Sequence, residues 1–371
     1  MKKMISAFSI FTLATTLIVS TQLVRANNME IQTVATYTDT RPGNITVTPK
    51  GRIIMSQQPL DGPSLRVVEI LPDGSKIPFP NLDWADGPES GKVGISATIG
   101  VASDKHGVVW ILDMGGKNSP AQIIAWDTQK NQLHKKITLP KNVITPISFL
   151  QDFALDEKRG YLYIADMTFP APGAKARPAF VVVNLQTGKA RRILEGAKPL
   201  MPVRQDVVIN GSLMGTQVEN GQSAPWHLGL NPIAIDPSFS WVYFGTVNGK
   251  DVYRIPAKTL ADTIGNEAST PKSVMNKIER YGPKPASDGI AVDDKGQVFV
   301  SDIEASAVGI TTPDGYRIIA EDSKRLAWPD GFAFGPDGYL YVTQNQLNAH
   351  PALNEGKDDS LKPYHVVKLK I

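Results

Sequence analysis

Carboxylate and amide side chains recur in the pair of residues that opens a short phrase, which appears six times along the chain. The phrase is a polar or turn pair, an apolar residue, Ala or Thr, and usually a second apolar residue. Its polar members are Asn44, Gln151, Asp152, Asn231, Asp288 and Asp330. Oxygen donors without His or Cys favour a hard cation, Ca²⁺ or Mg²⁺, over zinc or copper. The sequence therefore predicts candidate metal ligands at Asp152, Asn231, Asp288 and Asp330.

Three carboxylates brought close together need a counter-charge, which a bound metal ion or a cationic ligand would supply. The competing interpretation is that Asp and Asn act as turn formers and accept hydrogen bonds from nearby backbone amides. The Asp-Gly pairs at 288 and 330 agree with a turn. Asn231 precedes Pro232, so glycine freedom cannot explain it. Both interpretations stay open at this point.

Aromatic side chains stand next to these polar positions. Trp328 lies two residues before Asp330, and Trp226 and His227 precede the Asn231 phrase. An aromatic face beside a carboxylate suits a cationic amine, although a tryptophan before a strand can equally be a packing residue. The predicted ligand-binding residues are Asn44, Gln151, Asn231, Asp330, Trp328, Trp226 and His227.

If the protein is an enzyme, Asp288 or Asp152 would move a proton while a cation polarises a carbonyl group. Serine-nucleophile elbows and phosphate-binding glycine loops are absent from the sequence. The five histidines show no metal-ligand spacing. Hydride transfer and phosphoryl transfer therefore lack support, and no organic cofactor is expected.

The elements that position these residues are hairpins. Each phrase is followed by a turn rich in Asp, Pro, Lys and Gly and then by a β-branched or aromatic run. Six such units span the chain, which predicts an all-β, six-bladed β-propeller over residues 29–371. A β-sandwich is the alternative. Pairing of residues 31–37 with the C-terminal strand at 365–369 would close the ring and remove an exposed sheet edge.

Two stretches depart from this rhythm. Residues 197–227 contain Gly, Pro and polar clusters and predict a loop over one face. Residues 271–280 begin with Pro271 and place Val274 and Ile278 four residues apart, which predicts a short surface helix.

The sequence of these phrases resembles that of the major royal jelly protein and yellow family over nearly the whole mature chain. The resemblance is carried by Ser287-Asp288-Gly289-Ile290-Ala291, by Trp328-Pro329-Asp330-Gly331 and by residues 108–115, 149–156, 230–237, 251–256 and 345–347. Insect members usually carry cysteines, and this chain has none. In this respect the chain resembles a bacterial member of the family. The family is similar in architecture to the senescence marker protein and gluconolactonase propellers, whose members bind a divalent cation at the channel mouth.

The resemblance implies a fold more firmly than a function, because family members include dopachrome-converting proteins, binders of small amines and secreted proteins without known catalysis. We expect an exported small-molecule-binding propeller with a ligand or cation site at the channel mouth. The alternative is a dopachrome-like isomerase or a metal-dependent lactone hydrolase. A structural secreted protein is a third possibility.

Residues 1–26 have the features of a secretory signal, with two N-terminal lysines, a short apolar run and Ala26 as a cleavage point. This leader holds three of the 39 basic residues and no acid, so the mature chain has equal numbers of acidic and basic residues. A chain without net charge has no electrostatic basis for binding nucleic acid or an anionic membrane. We expect a secreted or periplasmic protein that has no membrane contact after cleavage.

Overall fold

The strands of the chain form antiparallel sheets arranged in a ring. The computed structural model describes residues 28–88, 93–117, 119–169, 175–217, 221–266 and 270–371, so the predicted leader lies outside the described residues. Within these ranges there are six sheets of four strands each. The first strand of each sheet contacts the first strands of both neighbouring sheets, so the six close around a central channel. The predicted six-bladed β-propeller is confirmed.

The first three blades follow one another without interruption. An N-terminal strand, β1 (Ile31–Tyr37), precedes them. Blade 1 contains β2 (Pro42–Val47), β3 (Ile53–Gln57), β4 (Val67–Ile70) and β5 (Lys76–Pro78). Blade 2 contains β6 (Thr98–Ser103), β7 (Val108–Asp113), β8 (Gln122–Asp127) and β9 (Gln132–Thr138). Blade 3 contains β10 (Leu150–Asp156), β11 (Tyr161–Asp166), β12 (Ala179–Asn184) and β13 (Ala190–Ile193).

Two short two-stranded ribbons lie between blade 3 and blade 4 in the sequence. They are formed by β14 (Val208–Ile209) with β15 (Ser212–Leu213), and by β16 (Gly215–Gln217) with β17 (Ser223–Pro225). Blade 4 contains β18 (Leu230–Ile235), β19 (Trp241–Thr246), β20 (Asp251–Pro256) and β21 (Glu279–Pro283). Blade 5 contains β22 (Ile290–Val292), β23 (Val298–Asp302), β24 (Ala307–Thr312) and β25 (Gly315–Glu321). Blade 6 contains β26 (Pro329–Phe334), β27 (Tyr339–Gln344), β28 (Tyr364–Lys370) and β1.

The ring is closed by the two ends of the described chain. β1 pairs antiparallel with β28, from Ile31 opposite Leu369 to Tyr37 opposite Tyr364. The predicted pairing of residues 31–37 with the C-terminal strand is therefore confirmed. Because β1 becomes the outermost strand of blade 6, that blade has contributions from both ends of the sequence, and its formation joins them.

Apolar side chains fill the space between neighbouring blades. Blades 2 and 3, for example, share a cluster that includes Leu112, Phe153 and Ile164, and comparable clusters lie between the other pairs. The innermost strands present small side chains to the channel, namely Ala102, Ala154, Ala234, Ala291 and Ala333. Strands that converge on an axis leave little room, so small residues are needed there.

One end of the channel is covered by a group of apolar side chains that we call the roof. It is built from the loop before β10, the end of β11, the two ribbons and the segment after β27, and it contains Phe149, Met167, Phe169, Val207, Ile209, Met214, Trp226, Leu228, Leu347 and Leu353. The loop predicted at residues 197–227 contributes Val207, Ile209, Met214 and Trp226 to this cover. We call the roofed end, where the innermost strands begin, the upper end.

The described α-helices are short. They are α1 (Leu82–Ala85), α2 (Ala257–Ala261) and α3 (Pro271–Met275). The helix expected over residues 271–280 is shorter than predicted, because β21 begins at Glu279 and pairs with β20. β21 lies at the outer edge of its blade, where its largely solvent-facing residues give no clear alternation of buried and exposed side chains. In the described part of the chain, no helix is both long and apolar enough to cross a membrane.

Candidate functional site

The polar residues of the repeated phrase sit where the innermost strands are irregular. The pairing register of the first two strands shifts between Pro42 and Ile45 in blade 1 and between Leu150 and Asp152 in blade 3. The corresponding shifts in blades 4 and 6 enclose Asn231 and Asp330. A β-bulge interrupts the ladder and re-aims a side chain. In these four blades the phrase therefore marks the place at which the inner strand bends.

Hydroxyl groups of the second strands satisfy the backbone at these bulges. Ser56 Oγ accepts from the Asn44 amide at 2.9 Å and donates to the Ile99 carbonyl of the next blade at 2.7 Å. Thr343 Oγ1 accepts from the Gly331 amide at 2.8 Å and donates to the Gly43 carbonyl at 2.6 Å. These buried hydroxyls join adjacent blades around the axis.

Ser301 plays a similar part in blade 5. Its Oγ accepts from the amides of Asp288 and Gly289, each at 2.9 Å. A serine or threonine on a second strand carries no obvious signal in the sequence, and sequence analysis missed all three hydroxyls.

The polar side chains meet in what we call the acid ring: Asn44, Asp152, Asn231, Asp288 and Asp330. Asn44 Nδ2 donates to Asp152 Oδ2 at 2.9 Å. Asn231 Nδ2 donates to Asp288 Oδ1. Asp330 receives a hydrogen bond of 2.9 Å from Nδ2 of Asn345, a fully buried residue that belongs to a segment of the family resemblance but was not predicted as a site residue. The structure therefore brings together all four residues predicted as metal ligands.

The glycines that follow Asp288 and Asp330 serve close approach and not a turn. A Cβ on Gly289 would lie 1.9 Å from the Asp330 carbonyl oxygen, and one on Gly331 would lie 2.5 Å from Asn44 Oδ1. Neither glycine has the positive φ that a left-handed turn requires. The turn interpretation holds for single oxygens, since Asn44 Oδ1 and Asp152 Oδ1 each accept from the next backbone amide.

Burial raises the pKa of all three carboxyl groups in the acid ring. The pKa of Asp152 rises to about 7, chiefly through desolvation and further through the charge of Asp288. Desolvation and the charges of Asp288 and Asp152 raise the pKa of Asp330 well above its usual value. Desolvation also raises the pKa of Asp288, against the hydrogen bonds from Trp328 and Asn231. The ring therefore holds protons or requires a positive partner.

Two cavities of very different size flank the acid ring. The upper cavity, under the roof, has a volume of about 40 Å³ and includes Gln151, Asn231, Asp288 and Trp328 in its lining. The lower cavity has a volume of about 300 Å³, and Asn44, Asp152 and Asp330 lie at its inner end. None of the described residues that line either cavity is Lys, Arg or His. The upper cavity has room for a water molecule or an ion, whereas the lower one can hold a small organic molecule.

The predicted aromatic residues have different positions relative to the acid ring. Trp328 is buried and donates from Nε1 to Asp288 Oδ2 at 2.6 Å. Its φ of 55° is rare for a bulky residue. Trp226 lies in the roof with its ring centroid 4.9 Å from that of Phe169, and its buried Nε1 has no hydrogen-bond partner.

His227 lies outside the lining of both cavities. Its Nε2 is 2.9 Å from Asp206 Oδ1, a partly exposed pair near the surface. His227 is therefore close to the Asn231 phrase in the sequence but does not lie beside the acid ring.

The acid ring offers the oxygen donors that a hard divalent cation prefers. The carboxylates, however, are spaced by amide groups, and within the described ranges no three His, Cys, Asp or Glu side chains are placed to hold one metal ion together. Asp152, Asp288 and Asp330 are nevertheless close enough to influence one another's charge. The donor chemistry suits a cation, but the carboxyl groups do not form a three-carboxylate metal site, so a metal ion would meet at most two of them at once, together with amide oxygens.

Comparison with known proteins agrees with this architecture. The family model described as major royal jelly protein matches residues 96–359, well over half of the chain. A search of curated proteins gives no significant match.

Solved structures similar to this one include a gluconolactonase from Xanthomonas campestris, at 12% identity and a TM-score of 0.55, with 93% of this chain and 91% of the other covered. A calcium-binding protein, regucalcin, from Agrobacterium tumefaciens is 17% identical with a TM-score of 0.53, covering 92% and 94%. A luciferin-regenerating enzyme is 14% identical with a TM-score of 0.55, covering 92% and 95%. At these identities the similarity shows the fold alone.

The raised carboxyl pKa values predict that stability falls as pH rises. Between the ordinary pKa of 3.8 and about 7, folded Asp152 retains a proton that the unfolded chain has released, so unfolding releases protons and raising the pH favours it. Replacing Asp330 by Asn removes one charge, while the new amide oxygen can still accept from Asn345. We expect Asp330→Asn to raise the melting temperature by a few degrees at pH 8 and by little at pH 4.

Melting temperatures of both proteins measured from pH 4 to pH 8 by calorimetry test this. Asp294→Asn, at an exposed aspartate outside the channel lining, controls for the change in net charge. An Asp330→Asn protein that is less stable than the wild type at pH 8 would contradict the charge repulsion inferred for the ring.

Proposed function

Since the chain belongs to the major royal jelly protein family, we propose that it is an exported propeller that binds a positively charged small ligand at the acid ring. The observation that supports this most directly is the grouping of three desolvated carboxyl groups in the ring. Asp152, Asp288 and Asp330 are drawn together by the inner strands, and no basic side chain among the described residues lines the cavities beside them. A buried charge without a partner is costly, and a bound cation removes that cost.

Two kinds of cation suit this site. A Ca²⁺ or Mg²⁺ ion would be held by at most two of the carboxylates at once, with amide oxygens nearby, and a calcium-binding protein is among the propellers of similar fold. The ammonium group of an organic amine would pair with the same carboxylates. The rest of the amine could extend into the lower cavity, since the upper cavity is too small to hold it. In both cases the ligand supplies the positive charge that the ring lacks.

Export is proposed from the sequence. A basic start, a short apolar run and a small residue at 26 form the predicted leader. We place the mature protein in the periplasm or outside the cell, with a small molecule as its partner and neither nucleic acid nor membrane.

Cation binding predicts a shift in melting temperature that depends on the ring. At pH 8, adding CaCl₂ or a primary amine should stabilise the protein, by about 2.7 kcal/mol at a concentration 100 times the dissociation constant. Asp330→Asn should raise the melting temperature without ligand but lose most of the ligand-dependent increase, because one carboxylate has gone. Asp294→Asn should respond like the wild type.

Isothermal titration of the same three proteins with CaCl₂ and with the amine gives the affinities. If neither ligand binds the wild type, or if Asp330→Asn binds both with unchanged affinity, the proposed site is wrong.

A second candidate function is acid–base catalysis, as in an isomerase or a metal-assisted lactone hydrolase. The specific observation in its favour is Asp152, whose pKa of about 7 suits proton transfer near neutral pH. Asp152 is also partly exposed to the lower cavity, where a substrate could reach it. Asp288 is less suitable, because it is buried and does not line the lower cavity.

An assay with lactones and with dopachrome, with and without a chelator, tests this candidate. Catalysis by Asp152 predicts a rate that changes with a midpoint near pH 7 and falls by about 100- to 10,000-fold in Asp152→Asn. Turnover that survives this substitution would rule out Asp152 as the acid or base. Ligand-induced stabilisation without any turnover would support the binding function and count against catalysis.

A further inference from the structure

The lower cavity is a chamber lined by residues from both ends of the innermost strands, so it extends along them from the acid ring. Its walls are the innermost strands, which contribute small or apolar side chains such as Val47, Ala102, Ala234 and Ala291. Its inner end contains Asp152 and Asp330, and its outer end contains Glu157, Asp236 and Phe239. The volume of about 300 Å³ is at the lower limit for a small-molecule site.

Both ends of this chamber carry acidic groups. Glu157 directly follows β10, the strand that carries Asp152 near its start, so the two carboxyl groups belong to opposite ends of one inner strand. Five residues of extended chain separate their Cα atoms by about 16 Å. The middle of the chamber contains no described charged side chain.

The carboxylate of Glu157 is only partly used by the protein. Its Oε1 accepts from the backbone amide of Lys105 at 3.1 Å, but its buried Oε2 has no hydrogen-bond partner. The charged groups that act on it are Asp104, Lys105 and His106 of the blade 2 hairpin, and no described residue forms an ion pair with it. Asp236, by contrast, has both oxygens engaged by Trp241 and Ser238.

We propose that the lower chamber binds a linear dication, a long α,ω-diamine or polyamine, with one ammonium group at Asp152 and Asp330 and the other at Glu157. The apolar methylene chain would lie along the alanine-lined walls, where its burial is favourable. This inference rests on the proposed function, since the inner ammonium group uses the acid ring. It adds the class of ligand, a second contact residue and entry through the lower end, opposite the roof.

A series of linear diamines from 1,4-diaminobutane to 1,12-diaminododecane, each compared with the monoamine of equal chain length, tests the proposal by titration calorimetry. We expect the longer diamines to bind more tightly than their monoamines by at least about tenfold, which corresponds to 1.4 kcal/mol. Short diamines cannot span the chamber and should show no such advantage.

Glu157→Gln should abolish the advantage of the long diamines and leave the affinity for monoamines and for CaCl₂ unchanged. Glu321→Gln, at an exposed glutamate on an outer strand, is the matched control and should bind like the wild type. The melting temperatures of both variants, measured in the same buffer, establish that they are folded.

The outcomes separate this inference from the proposed function. If long diamines and monoamines bind equally, or if Glu157→Gln retains the diamine advantage, the two-ended site is wrong while the acid ring can still bind its cation. If CaCl₂ and all amines fail to bind the wild type, both proposals are wrong.

Discussion

The convergence of six inner strands on one axis is the constraint on which the rest of this structure depends. Because the strands converge, only small residues such as alanine and glycine fit beside the axis, as the positions of Gly289 and Gly331 show. It also brings Asp152, Asp288 and Asp330 near one another in a desolvated place. Packing of the blades thus imposes an electrostatic cost, which protons, amide donors or a bound cation must offset.

The fold and the meeting of the polar residues could be predicted because both follow from one repeated phrase. Recurrence of that phrase gives the number of blades, and its fixed place at the start of an inner strand brings Asn44, Asp152 and Asp330 together. The bulges were not predictable, since a register shift depends on the partner strand. Asn345 and Glu157 were missed because neither belongs to the phrase, and β21 was missed because an outer edge strand has little pattern.

The accessible end of the channel differs from the end that sequence reasoning favours. Polar residues before each inner strand suggested an open upper mouth, but apolar side chains from distant loops cover it, and Trp328 closes on Asp288 beneath them. Covering of this kind depends on tertiary contacts between segments as far apart as Phe149 and Leu353. The larger space lies on the other side of the ring, where Asp152 is partly exposed.

The protonation of the ring carboxyl groups tests this account most directly. Infrared difference spectroscopy of the wild type against Asp330→Asn, near pH 6, reports protonated carboxyl groups through their C=O stretching band. We expect a protonated band in the wild type that is lost when a saturating cation binds, with protons released to the buffer. A spectrum that shows fully ionised carboxylates at that pH before any cation is added would contradict it.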